Sequence, residues 1–195
     1  MNDDELKSYF QHYLQRGRDA VVWKLDGLSD YDIRRPMTPT GTNLLGLVKH
    51  LTYGEAWYFG NCFDRPFPEP LDDWVEDDPE PNSDMYATAD ETREVVVDRF
   101  RRACAHADAT IAALPLEAVG FVPWWPEERA HSPLARLLVH VAVETHRHAG
   151  HMDIVRELID RQAGVSKVHS NLPDVDPGFW PSYVERLEGI AQRFR

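Results

Sequence analysis

SPLARLLVHVAVETHRHAGHMDIVRELID, residues 132–160, is the stretch whose reading decides the fold. Ser132 is a competent N-cap residue, and Pro133 suits a first helical position, where a missing N–H costs nothing. The next proline is Pro173, so a helix beginning here can run for many turns. Leu134, Leu137, Leu138 and Val141, then Ile154, Val155 and Leu158, recur at three- and four-residue spacing and predict an apolar face. His140, Glu144, His148 and His151 interrupt that face where a plain core helix would carry leucine or alanine.

Residues four apart stack on a helix, so Glu144 and His148 are predicted to address one point in space, as are His140 with Glu144 and His148 with His151. This is the geometry one helix offers to a metal ion. His140 and His148 lie about 12 Å apart along the axis, too far to share one ion with bonds near ~2 Å. At least one further ligand must therefore come from elsewhere in the chain. A single buried histidine on such a face is more often a hydrogen-bonded core residue than a ligand, and His146 is expected at the surface.

Upstream, residues 3–28 carry a helical stripe (Leu6, Phe10, Tyr13, Leu14, Val21, Val22, Leu25) with Gly27 as a natural stop. Residues 30–41 read as a connector, whose Arg34–Arg35 pair either orients a carboxylate or stays solvated. A second helix is expected from Thr42 or Asn43 to about Phe63, with Leu47, His50, Gly54 and Trp57 or Tyr58 on one face. His50 is the polar residue on that stripe and the candidate for the missing ligand. Residues 63–86 form an acidic, proline-rich loop, with Trp74 expected to tuck into the body and 72–84 expected to stay solvated.

The capping box TADE at 88–91 predicts the start of a third helix running to Pro115. Residues 115–131 form a loop in which Trp124–Trp125 either line a pocket mouth or staple the loop down. Gly164 is expected to stop the helix of the opening stretch, Asp153 to remain solvated, and residues 181–194 to form a short amphipathic helix. No strand is predicted. The reading is an all-α chain of four long helices in a bundle, one domain over 1–195, with a core over about 1–162 and a C-terminal extension.

Composition narrows the function classes. With 21 basic and 33 acidic residues among 195, the formal charge is −12, which should repel phosphate backbones and excludes nucleic acid as an expected partner. No apolar run is long enough for a membrane span. The acidic beginning lacks the pattern of a secretory leader, so a cytoplasmic location is expected. The two cysteines, Cys62 and Cys104, are expected as buried free thiols.

Two segments, GTNLLGLVKHLTYGEAWYF at 41–59 and LLVHVAVETHRHAGHMDIVRELID at 137–160, resemble the second- and fourth-helix motifs of the DinB-like superfamily of four-helix metalloproteins. The resemblance is strongest to its mycothiol-dependent branch, mycothiol S-transferases and mycothiol-dependent maleylpyruvate isomerase among them. It implies an up-down bundle with a long crossover, a divalent metal (usually zinc or nickel), and commonly a homodimer. It places the ligands at His50, Glu144 and His148. Glu144 stands where the commonest form of the family has histidine, in agreement with the His/Glu/His variant. It leaves His151 behind the ligands or facing the substrate, and His151 or His140 as a proton carrier.

The activity this implies is attack of a low-molecular-weight thiol such as mycothiol on a small electrophile, or thiol-assisted isomerisation. A metal-dependent hydrolase, or a non-enzymatic dimeric bundle with a structural metal or none, would use the same residues.

Overall fold

The computed structural model describes residues 2–71 and 80–195. Trp74 and most of the acidic stretch lie outside the described residues. Among the described residues are seven α-helices: α1 (Asp3–Trp23), α2 (Asp30–Arg34), α3 (Leu44–Phe59), α4 (Arg93–Ala113), α5 (Glu127–Ala130), α6 (Leu134–Asp160) and α7 (Phe179–Ala191). The four long ones form the body. α3 packs against α4 and α6, and α6 against α1, while α1 and α4 hardly touch.

Helix starts follow capping chemistry, though not always the cap the sequence suggests. Asn43 Oδ1 accepts from Gly46 N at 2.8 Å and starts α3 as expected. α4 begins later than the TADE box. Thr92 caps it, while Glu91 accepts from Thr88 N at 2.8 Å within a preceding turn and from buried Lys49 at 3.0 Å. The ion pair with Lys49 holds Glu91 outside the helix.

Ser132 does not cap α6. It sits in a two-stranded antiparallel ribbon, β1 (Val119–Phe121) with β2 (His131–Pro133), paired with Gly120, and its hydroxyl donates to Arg129 O at 2.7 Å. The first amides of α6 donate instead to backbone carbonyls, Leu134 N to Ala118 O at 2.8 Å and Ala135 N to Leu116 O at 3.0 Å. Orphan N–H groups at a helix start need acceptors, and here the segment leading into β1 supplies them where a side-chain cap was expected. These three-residue strands are too short to leave a period-2 signature.

α1 stops at Trp23. A turn through Gly27, at φ +74°, a region an L side chain avoids, folds Leu25 and Leu28 into the core beyond the helix end. The connector contains α2, capped by Ser29. Arg34 spans to the carbonyls of Ala87, Thr88 and Glu91 and so ties down the crossover, whereas Arg35 pairs locally with Asp32 at 3.0 Å. At the far end of α6 the left-handed residue is Arg161, not Gly164.

Asp153 is not merely solvated. It pairs with buried Lys24 and accepts from Gly164 N at 2.6 Å, fastening the chain after α6. Ile154 and Leu158 are exposed, while Met152, Val155 and Arg156 turn inward. Cys62 and Cys104 are buried free thiols, and burial pushes the Cys62 thiol up to about 12. None of α7 is buried. No helix among the described residues is long and apolar enough to cross a membrane.

The core divides into blocks at the two ends of the α3–α6 pair. One gathers Leu45, Val48, Phe100 and Met152. The other gathers Phe59, Ile111, Leu134 and Leu138. Between them, roughly residues 50–58 of α3 and 140–148 of α6 face each other, and there the polar residues of the two helices meet.

Candidate functional site

The meeting place is a cleft of about 250 Å³ lined by His50, Leu51, Gly54 and Tyr58 of α3 and by His140, Val141, Glu144 and Thr145 of α6. His50 and His148 come from different helices and lie edge to face, ring centroids 4.9 Å apart. Glu144 Oε2 is 3.7 Å from His148 Nε2, one helical turn away. His151 Nδ1 approaches His148 Nδ1 at 3.4 Å. The structure thus brings His50, Glu144, His148 and His151 to one end of the cleft, and His140 lies a turn further along.

His148 is buried with two other imidazoles around it. Burial, then His50 and His151, push its pKa down to about 4, against the opposing pull of Glu144. At neutral pH it is a neutral imidazole with a free lone pair, and its contact with Glu144 is not an ion pair. Burial also lowers His140, with Arg136 acting in the same direction and Glu144 against it.

Two residues that sequence reasoning did not single out complete the site. Asp84 Oδ2 lies 2.5 Å from His50 Nδ1, leaving Nε2 as the nitrogen free for other use. A carboxylate holding the far nitrogen of an imidazole fixes ring orientation and tautomer in metal sites. Asp84 is buried, a correction to the solvated loop expected over 72–84. The reason lies at Gly46: a Cβ there would meet Met85 O at 1.8 Å, so only glycine lets the Ser83–Met85 turn settle on α3. Asn43 Nδ2 secures the same carbonyl at 3.3 Å. A glycine within the first turn of an apolar helix was the available signal.

Tyr58 is the other. Its hydroxyl accepts from Trp124 Nε1 at 3.1 Å and lies 3.0 Å from His140 Nε2. Burial raises its pKa. Trp124 packs on Trp57 and Tyr58, and Trp125 on Tyr58 and His140. The tryptophan pair therefore fastens the loop against Tyr58 and His140 of the cleft, and Trp125 lines the depression beside it.

Two imidazoles and a carboxylate match the donor preferences of a borderline divalent ion with an open position. The neutral state of His148 and the carboxylate behind His50 fit that use. Among the described residues, however, no three such donors already stand close enough together to enclose an ion. The set fits in chemistry, and the side chains stand open.

No curated protein matches the chain. The family model for mycothiol-S-transferase matches residues 9–161, which take in most of α1, both faces of the cleft, Asp84 and the tryptophan loop, and on that extent the chain belongs to the mycothiol-S-transferase family, within the DinB-like superfamily.

Proposed function

We propose that the protein transfers a low-molecular-weight thiol, mycothiol or a close analogue, to a small electrophile at a divalent-metal centre in the α3–α6 cleft. His50, Glu144 and His148 hold the ion in this reading, with zinc or nickel the ions best suited to two imidazoles and one carboxylate. When bound, such an ion favours thiolate over thiol at neutral pH. The reading includes an up-and-down order of the four long helices and a homodimer.

The chain's own residues do the rest. Asp84 fixes the tautomer of His50 by accepting from its Nδ1–H. Leu51 and Val141 line the cleft and limit water. His140 serves as the proton acceptor for the thiol. The proton reaches it through Tyr58: the phenol oxygen receives the thiol proton as the phenol's own proton passes to His140 Nε2, across 3.0 Å. His151, 3.4 Å from His148, is a second imidazole beside the ligands. The observation that carries the reading is the pair His50 and His148, brought edge to face from two helices within the span that matches the family.

The test is metal content by plasma mass spectrometry on tag-free wild type and His148→Ala, followed by transfer of mycothiol to monochlorobimane. About one ion per chain, lost in the variant together with transfer, supports the proposal. Unchanged transfer in a metal-free preparation, or no metal after reconstitution at neutral pH, overturns it.

A further inference from the structure

A second depression adjoins the cleft. It is lined by Trp125, Arg129, Arg136, Val139, His140 and Val143 and has a volume of about 650 Å³. His140 belongs to both, so the two form one trough with His140 at the saddle. The ends differ in charge. Glu144 and Asp84 stand at the His50 end, while the other end carries two guanidiniums.

Those two guanidiniums share one aromatic ring and, like Arg16, Arg65 and Arg161, form no ion pair among the described residues. With a formal charge of −12, carboxylates are plentiful, and Arg18, Arg99, Arg102 and Arg147 pair with Glu55, Glu69, Glu91 or Glu144. Among the described residues Arg129 and Arg136 have no carboxylate partner. Both lie over the Trp125 ring, at 5.8 and 5.6 Å from its centroid. Stacking holds a guanidinium in place while its N–H donors stay available. Arg136 also bears on His140, lowering its pKa, which places positive charge at the saddle.

We infer that this end of the trough is a carboxylate-binding subsite, and that the electrophile is a planar or aromatic acid. The inference rests on the cleft being the reaction site and adds the class of its substrate. Trp125, Val139 and Val143 supply an apolar floor for a flat ring, and the two guanidiniums supply a fork for the carboxylate. Arg136 and Glu144 are two helical turns apart, about 12 Å along the axis. An aryl or conjugated spacer of about that length, less the reach of the side chains, carries the reactive carbon toward His50 and His148. A local positive patch on an otherwise acidic protein also steers anions to this face.

The experiment needs neither metal nor thiol. Cinnamate and its uncharged analogue cinnamamide are titrated into the metal-free full-length protein by calorimetry, on wild type and on the double variant Arg129→Gln, Arg136→Gln. Both substituted positions are at the surface, and circular dichroism checks the fold. Cinnamate should bind about tenfold more tightly than the amide in wild type, weaken with salt, and lose that advantage in the double variant, with amide binding unchanged. Equal binding of acid and amide by wild type, or an undiminished preference in the double variant, overturns the subsite. Because thiol transfer is measured separately, a protein that transfers no thiol yet prefers cinnamate refutes the proposed function and leaves the subsite standing.

Discussion

α3 carries two polar clusters, and they are built on opposite plans. Toward α1, Glu55 takes Arg18 in a two-point ion pair, both bonds 2.7 Å, and Asp108 of α4 adds a third at 2.8 Å. Burial works against the Arg18 charge, and Glu55 more than offsets it, holding the guanidinium above its usual pKa. Every charge there has a partner. Toward α6, less than two turns away, His50 has one nitrogen engaged, His148 is neutral and Glu144 makes only long contacts, 3.5 Å to Arg147 and 3.7 Å to His148. One cluster is closed on itself and holds helices together. The other leaves donor capacity unspent, which is the condition for binding something else.

Substitutions can break that contrast. Glu55→Ala leaves a buried guanidinium with Asp108 as its one carboxylate partner and Gln15 beside it, and should cost about 3 kcal/mol or more in urea denaturation. His148→Gln should leave the fold intact. A loss from His148→Gln as large as that from Glu55→Ala would mean both clusters are structural.

Acid sharpens the comparison. The unfolded chain protonates His148 as pH falls below about 6.5, whereas the folded chain resists until about 4. The unfolded state thus binds more protons in that window, and metal-free protein should lose about 2 kcal/mol between pH 6.5 and 4. Urea midpoints across that range check the slope, which His148→Gln should flatten.

Asp84→Asn tests the residue behind His50. It should weaken metal affinity about 10- to 100-fold, read by competition with a chelating dye, with little change in helicity. The smallest expected stability effect belongs to Gly54→Leu. A Cβ at Gly54 meets nothing within 4 Å, and helix propensity favours leucine by up to ~1 kcal/mol. The protein should be as stable as wild type or slightly more so, yet transfer should fall because the side chain occupies the cleft. Retained transfer would place the reaction outside it.

Much of this was legible in residues 41–59 and 137–160. The i, i+4 spacing of Glu144 and His148 and the lone polar position of His50 follow from helical periodicity, which sequence expresses directly. The same periodicity misplaced Ile154 and Leu158, because it cannot say which of two apolar arcs a long helix turns inward. Asp84 was hidden in an acidic run, where composition argues for solvent. Tyr58 was hidden because its partner is remote in sequence, Trp124 lying sixty-six residues beyond it, and the guanidiniums over Trp125, though near it in sequence, because the loop that carries Trp125 has no periodicity from which their stacking could be read.

By itself the sequence determined the helical class, the long helices that carry His50, Glu144 and His148, and the burial of both cysteines. These are local matters, fixed by periodicity, caps and side-chain polarity within a few turns. Only the tertiary structure decided that Ser132 belongs to a ribbon, that Asp84 reaches His50, and that His140 joins an acidic cleft to a basic one. Those outcomes depend on which carbonyl, carboxylate or ring arrives from elsewhere in the chain. The competition for buried hydrogen-bond partners is settled only once the helices have packed.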